Sequence, residues 1–192
     1  MFKKIFNIIE IIFLLLFVLF FSHGIFSHLN KEFLALSLKI TGPSLLITNT
    51  IAILFSLKST NKSLKLIFWI ILTFILTYFI EVVGVHTGLI FGKYGYGNVF
   101  RIKPLGVPLI IAFNWVVLIL ATTAFFKKIT NKYLASFLSG ALIVILDIAI
   151  EPVATKLGYW QWENNNIPLQ NYVAWFINAY VFSLSKYNPI CN

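Results

Sequence analysis

Two carboxylates interrupt one of the most apolar stretches of the chain. In "GALIVILDIAIEPVATKLGYWQW", residues 140–162, Asp147 and Glu151 stand four residues apart in a hydrophobic run. Residues with this spacing share one face of an α-helix. Burial disfavours the charged form of a carboxyl group, and a second carboxylate nearby disfavours it further in one of the two. The pair therefore predicts a proton donor beside an ionised partner that can stabilise a cation or accept a proton.

A third carboxylate, Glu81, lies in another apolar stretch, residues 64–85. A charge in the middle of a bilayer is costly, so such residues usually face the interior of a helix bundle and serve a function. The structural alternative is a hydrogen bond, or an ion pair with Lys39. We expect catalytic roles for Glu81, Asp147 and Glu151.

The composition indicates a membrane protein. Of the 192 residues, 59% are hydrophobic and 11% are charged, and the mean hydropathy is +0.90. A soluble domain of this size could not bury so much apolar surface. The net charge of +9 does not indicate nucleic-acid binding, because the basic residues are scattered in short loops and form no basic face. The single cysteine, Cys191, excludes an intrachain disulfide.

Six stretches approach the length of about 20 apolar residues that crosses a bilayer. They are 4–22, 32–57, 64–85, 106–126, 133–155 and 168–187. The sequence therefore predicts one all-α domain over residues 1–192, a polytopic transmembrane bundle of about six helices. The first stretch has the basic head of a signal peptide but is too long and lacks a cleavage site, so we interpret it as a retained span. Thr41-Gly42-Pro43 predicts a kink in the second stretch.

The basic residues predict an orientation in a bacterial or archaeal-type cytoplasmic membrane. The richer side carries Lys3, Lys4, Lys58, Lys62, Lys65, Lys127, Lys128, Lys132 and Lys186, and the other carries Lys31, Lys93, Arg101, Lys103 and Lys156. The richer side is expected to be cytoplasmic, which places both termini inside and the loops 86–105 and 156–167 together outside. At about 1.5 Å per helical residue, Glu81, Asp147 and Glu151 lie about 25, 21 and 27 Å from the inner ends of their helices, at similar depths.

The residues that follow the acids repeat one pattern. Each acid is followed by two aromatic residues that flank a single residue, then by a proline, and then by a tryptophan seven residues later. The first copy is Glu81, Tyr94, Tyr96, Pro108 and Trp115, and the second is Glu151, Trp160, Trp162, Pro168 and Trp175. The copies predict parallel repeats about an axis along the membrane normal. Their aromatic rings would line a site for a flat hydrophobic ligand and stabilise a cation on it, or would form an interfacial belt.

The other polar residues and motifs give weaker indications of function than the three acids do. His86 begins the glycine-rich stretch 86–108, which we interpret as a tight re-entrant cap, and we favour a capping or interfacial role for it over catalysis. Asp147 and Glu151 could hold Mg²⁺ for a diphosphate, but such a site needs more carboxylates than the sequence supplies. No Walker pattern is present, and we predict no metal site.

Two segments carry a resemblance to a known family. They are "EVVGVHTGLIFGKYGYGN…PLGVPLIIAFNW" and "DIAIEPVATKLGYWQWENNNIPLQNYVAW". The shared pieces, in the family's order over residues 81–175, are Glu81, Thr87-Gly88, Phe91-Gly92-x-Tyr94-x-Tyr96, Gly106-Val107-Pro108, Trp115, Asp147, Glu151-Pro152, Trp160-x-Trp162, Pro168, Asn171 and Trp175. The chain resembles the membrane-embedded carotenoid biosynthesis proteins, in particular the CruF-type carotenoid hydratases.

The resemblance implies a reaction in which water adds across the terminal C1′=C2′ double bond of an acyclic carotenoid end group. The product is a tertiary alcohol, and no redox cofactor is required. Asp147 or Glu151 would be the acid, its partner would stabilise the cation, and Glu81 would position or deprotonate the water. Four tryptophans, two tyrosines, an asparagine and a histidine would line the substrate site: Trp115, Trp160, Trp162, Trp175, Tyr94, Tyr96, Asn171 and His86. Implied partners are the carotenoid, the lipid bilayer and other carotenoid-pathway enzymes.

Two other functions remain open from the sequence. A carotenoid end-group cyclase begins with the same protonation, but a neighbouring alkene captures the cation and the mass of the product is unchanged. A small substrate-binding component of a vitamin transporter would also have about six helices. It should expose small residues for docking a partner helix, and "LSGA" at 138–141 is the nearest approach to such a face.

Overall fold

The computed structural model describes residues 26–58 and 63–186, and helices dominate this part of the chain. The helices are α1 (Lys31–Lys58), α2 (Ser63–Thr87), α3 (Leu109–Phe126), α4 (Lys132–Lys156) and α5 (Leu169–Lys186). Each of the last five predicted spans corresponds to one of them, so the all-α prediction is confirmed. The predicted span at 4–22 lies outside the described residues.

Four of the described helices are long and apolar enough to cross a membrane. They are α1, α2 from Leu64 onward, α3 and α4. α5 has 18 residues but is less apolar, because Gln170, Asn171 and Asn178 interrupt it. This pattern of apolar helices is that of a membrane protein, as the composition predicts.

The chain divides into two compact units, residues 1–41 and 42–192. In the first unit, Thr41 Oγ1 donates to the carbonyl oxygen of Ser37 at 2.8 Å and lies 3.1 Å from His28 Nε2. α1 contains Pro43 within its helical run, and the kink predicted there stays a prediction. The second unit contains α2 to α5 and the three predicted catalytic acids.

Local sequence signals set the helix ends in the second unit. The Asn131 side chain caps α4 by accepting from the backbone N–H groups of Tyr133 and Leu134, both at 3.1 Å. Pro108 and Pro168 precede α3 and α5, where a missing N–H costs nothing. After α4 the chain turns at Gly158 with a φ of 72°, which favours glycine.

Close helix packing surrounds a core of large apolar side chains. α5 packs mainly against α4, and α3 packs against both α2 and α4. Gly140 of α4 faces Phe176 of α5, and a Cβ at this glycine would lie 3.1 Å from two ring carbons. Asn49 Nδ2 donates to Asn114 Oδ1 at 2.7 Å, which is the kind of polar contact that joins helices in a membrane.

A two-stranded ribbon joins the loops that follow α2 and α4. Strands β1 (Tyr94–Tyr96) and β2 (Trp160–Trp162) pair antiparallel, with Tyr94 opposite Trp162 and Tyr96 opposite Trp160. Because side chains alternate along a strand, the four aromatic residues share one face of the ribbon. The glycine-rich cap expected from the sequence is therefore half of a ribbon whose other half comes from the second loop.

The structure repeats the same elements twice. A helix of 25 residues leads to a strand of three residues, a 3₁₀ turn of three residues and a helix of 18 residues in each half. The 3₁₀ turns Pro104–Gly106 and Glu163–Asn165 each hold a left-handed middle residue, with φ of 51° at Leu105 and 57° at Asn164. The register of the ribbon maps one strand onto the other by a two-fold rotation. The repeat predicted from sequence therefore has a counterpart in the structure.

Candidate active site

Three carboxylates lie buried in the second unit. The exposed fractions are 2% for Glu81 on α2, and 1% and 2% for Asp147 and Glu151 on α4. Asp147 interacts electrostatically with both Glu151 and Glu81. The structure thus brings the three predicted acids into one group, which we name the carboxylate cluster.

Glu81 accepts three hydrogen bonds from aromatic side chains. Its Oε2 accepts from the hydroxyls of Tyr94 at 2.5 Å and Tyr96 at 2.8 Å. Its Oε1 accepts from the indole Nε1 of Trp115 at 3.0 Å. Both oxygens are therefore engaged by donors, and such bonds stabilise the ionised form of a carboxylate.

Glu151 is held by the second strand of the ribbon. The indole nitrogens of Trp160 and Trp162 both donate to its Oε2 at 2.9 Å. The Tyr94 ring packs against the Trp162 ring across the ribbon in a tilted arrangement, with ring centroids 4.9 Å apart. Each strand thus supplies two donors to the acid of its own repeat, and the strand pairing ties the two acids together.

Asp147 has a single partner of a different kind. Asn171 Nδ2 on α5 donates to Asp147 Oδ2 at 2.7 Å, and Asn171 is itself 1% exposed. Within the described residues Asp147 Oδ1 accepts no hydrogen bond. Asp147 is therefore the member of the carboxylate cluster with the fewest donors to support a negative charge.

Neutral groups hold the carboxylate cluster. The donors are two phenols, three indoles and one amide. In residues 26–58 and 63–186, the one salt bridge joins Lys93 Nζ to Glu163 Oε1 at 3.3 Å, between exposed side chains. Within these residues, hydrogen bonds hold the carboxylates in place.

The two tyrosines of β1 remain donors at neutral pH. Burial, followed by the nearby charge of Glu81, raises the pKa of both the Tyr94 and the Tyr96 hydroxyl well above the usual value. A phenol that donates its proton to Glu81 still has acceptor capacity on its oxygen. Each hydroxyl can therefore link Glu81 to a further donor such as water.

The family follows from the match to a family model. The model described as "Carotenoid biosynthesis protein" matches residues 41–188, which include the whole carboxylate cluster and all of its donors. The chain belongs to this family. Membership assigns it to carotenoid biosynthesis.

One curated protein is similar to part of this carotenoid biosynthesis protein. The bisanhydrobacterioruberin hydratase of Haloarcula japonica is 29% identical over 116 residues. The match covers 55% of this chain and 39% of the relative, so the chain spans well under half of that protein's length. No solved structure matches the chain.

The structure of the carotenoid biosynthesis protein also places the remaining predicted residues. The Trp175 ring packs against the Trp115 ring in a tilted arrangement with centroids 4.5 Å apart, so it supports a donor to Glu81. Asn171 touches Asp147 directly. His86 is exposed on the last turn of α2, and within residues 63–186 none of the hydrogen bonds to the three carboxylates comes from it.

Sequence reasoning missed Tyr172. Its side chain interacts electrostatically with both Glu151 and Asp147. The available signal was its position directly after Asn171 in α5, but without knowledge of which face of α5 meets α4 that position predicts no contact with the acids.

Proposed function

We propose that the protein is a carotenoid hydratase that adds water across the terminal C1′=C2′ double bond of an acyclic end group. The observation that carries the proposal is the carboxylate cluster, in which three buried acids with different hydrogen-bond environments lie together among aromatic side chains. Protonation of an alkene needs a desolvated acid, and the resulting cation needs a nearby anion or π face. The cluster offers both.

Asp147 is the proton donor in this mechanism. A proton passes from Asp147 to C2′, and the electron pair of the double bond forms the new C–H bond. A tertiary cation is left at C1′. Hydrogen bonds to a carboxylate favour its ionised form, so the acid with one donor holds its proton better than acids with two or three.

Glu151 stabilises the cation. The indole N–H groups of Trp160 and Trp162 fix its Oε2, which favours a negative charge beside Asp147. The ring faces of the ribbon add an attraction for a carbocation, as they would for other cations. The charge at C1′ is then opposed by a carboxylate and by aromatic quadrupoles.

Glu81 takes the proton of the attacking water. Both of its oxygens already accept hydrogen bonds, so the water is bound through the hydroxyls of Tyr94 or Tyr96. Water adds to C1′ as its proton passes to the hydroxyl, while the hydroxyl proton passes to Glu81. Return of that proton to Asp147 resets the cluster, and one water is consumed without any change in oxidation state.

Expression of the chain in a host that makes lycopene tests the proposal. The expected product is a carotenoid heavier than its precursor by the mass of one water, with a tertiary hydroxyl at the end group. The relative's name, a hydratase, supports this outcome. Isomers of unchanged mass would instead identify a cyclase, and no product from several acyclic carotenoids would contradict the proposal.

A further inference from the structure

A groove runs along the outside of α4 and α5, beside the carboxylate cluster. It consists of two shallow hollows of about 520 and 360 Å³ that are open to the outside of the helix pair. The first is lined by Asn131, Tyr133, Leu134, Phe137, Phe176 and Tyr180, and the second by Ala141, Val144, Ile145, Tyr172, Val173 and Phe176. Phe176 lines both hollows, and we name the two together the α4–α5 groove.

The second hollow of the α4–α5 groove lies within one helical turn of Asp147 along α4, and its lining residues include no acid. Val144 lines it three residues before Asp147, which is less than one helical turn. Tyr172 also lines it, directly follows Asn171, and interacts electrostatically with Glu151 and Asp147. A molecule lying in the groove therefore ends about one helical turn from the proposed proton donor.

The groove suits a long apolar molecule that arrives from the bilayer. In the second hollow the Tyr172 hydroxyl is the polar side-chain group, and the other lining side chains are aliphatic or aromatic. Ile145 and Val173 are 61% and 50% exposed in a helix pair whose surroundings are lipid, so an apolar ligand can enter sideways. From Asn131 to Ile145 the groove follows α4 for about 21 Å at about 1.5 Å per residue.

We propose that the α4–α5 groove binds the polyene chain of the carotenoid and delivers its end group to Asp147 and Glu151. The inference rests on the proposed function, because it takes the reacting double bond to be at the acids. A conjugated polyene is straight and stiff, which matches a groove between two helices. The acyl chain of a phospholipid is equally apolar. However, the polar part of a phospholipid is its headgroup, and a site that ends near buried carboxylic acids is not suited to bind that headgroup.

Bulky substitutions in the groove test the inference. Ala141→Trp and Val144→Trp would fill the second hollow, and Ala149→Trp is the matched control on an exposed position of α4 that does not line the groove. Each variant is made in the active protein and in the Asp147→Asn background. The two readouts are the yield of hydrated carotenoid in a lycopene-making host and the polyene that copurifies with the monodisperse detergent-solubilised protein.

The expected result is at least a tenfold loss of both hydrated product and bound polyene in Ala141→Trp and Val144→Trp. The control Ala149→Trp should form as much product and bind as much polyene as the protein without the substitution. The inference would be overturned if all variants retained the same amount of polyene, or if no variant and no parent protein copurified with polyene. If the groove variants lost copurified phospholipid but kept the polyene, the inference would also be overturned, because the groove would then bind lipid. If the parent forms no hydrated product but only the groove variants lose polyene, the proposed function fails while the groove stands.

Discussion

At the scale of single residues, the three acids differ in what donates to them. Glu81 accepts hydrogen bonds from two phenol hydroxyls and one indole. Glu151 accepts hydrogen bonds from two indoles, and Asp147 accepts one from an amide. The chain thus has one kind of functional group in three environments, and the proposed roles of proton donor, counter-ion and base rest on those environments.

Replacement of Asp147 or Glu151 by its amide tests this division of roles. Asp147→Asn keeps the shape of the side chain but cannot deliver a proton, and Glu151→Gln removes the charge that opposes the cation. Loss of a general acid costs roughly 10²–10⁴ in rate, so we expect hydrated product to fall below detection in Asp147→Asn and by at least tenfold in Glu151→Gln. Mass spectrometry of extracted carotenoids measures both.

Asn178→Ala is a control for these variants, because the Asn178 amide donates to the carbonyl oxygen of Ala174 in its own helix at 2.9 Å. It should leave the yield of product unchanged. Full activity in both Asp147→Asn and Glu151→Gln would rule out protonation by this cluster.

The hydroxyls of Tyr94 and Tyr96 should matter for activity more than for folding. Tyr94→Phe and Tyr96→Phe each remove a donor to Glu81 and a path for the proton of water, so we expect hydration to fall by roughly tenfold or more. Tyr78→Phe is the matched control, since the Tyr78 hydroxyl donates to the carbonyl oxygen of Pro104 at 2.5 Å. It should cost about 1 kcal/mol of stability and leave the activity of folded protein intact.

Thermal melts separate the two effects for these three variants. If Tyr78→Phe lowered hydration per folded molecule as much as Tyr94→Phe does, the tyrosines of β1 would have no special role beside Glu81.

At the scale of elements, the ribbon is the part that assembles the site. It carries four of the six donors to the carboxylate cluster on strands of three residues each. Gly97 N donates to the carbonyl oxygen of Tyr159 at 2.9 Å and Glu163 N donates to that of Lys93 at 2.9 Å, which closes the ribbon at both ends. Two exposed loops thereby become one rigid frame above the acids.

Two glycines of the ribbon provide a matched test of that frame. A Cβ on Gly97 would collide with the backbone carbonyl of Gly158, whereas a Cβ on Gly95 would have no heavy atom within 4 Å. We expect Gly97→Ala to cost roughly 1–3 kcal/mol of stability and most of the activity, because the backbone has to separate. Gly95→Ala should be close to neutral in both the melting temperature and the yield of product.

Equal activities of Gly97→Ala and Gly95→Ala would show that the strands need not pair for the reaction. A loss in both variants would point instead to a direct role of the Gly95 surface.

At the scale of the whole molecule, the sequence predicts the helices well, while the depth of the acids in the bilayer stays a prediction. The length of the apolar stretches and the basic residues beside them predict where each helix begins and which way it runs. The rise per residue along an α-helix then predicts similar depths in the bilayer for Glu81, Asp147 and Glu151. The ribbon could not be predicted, because a strand such as Tyr94–Tyr96 is too short for a periodic signal and its partner lies more than 60 residues away. The expected contribution of His86 to the substrate site stays a prediction, because the way a helix end faces its neighbours depends on packing that the sequence does not specify.

The repeat also determines how the molecule should lie in the membrane. α2 and α4 occupy equivalent positions in the two halves, so they cross the bilayer in the same direction if each half keeps its orientation. Both loops of the ribbon are then on one side, which the basic residues predict to be the outer side. The ends of the chain, including Cys191, are predicted on the inner side.

Labelling with a membrane-impermeant maleimide tests this orientation in intact cells. In a Cys191→Ser background, Leu89→Cys introduces a thiol at a position that is 77% exposed after α2, and Asn166→Cys does so at an exposed position after β2. Both should be labelled from outside, while Cys191 in the unsubstituted protein should react only after the cells are lysed. Labelling of Leu89→Cys and Asn166→Cys from opposite sides would contradict the ribbon itself, because paired strands cannot lie on two faces of a membrane. Labelling of both only after lysis would keep the ribbon and invert the orientation, which would place the end group of the polyene near cytoplasmic water.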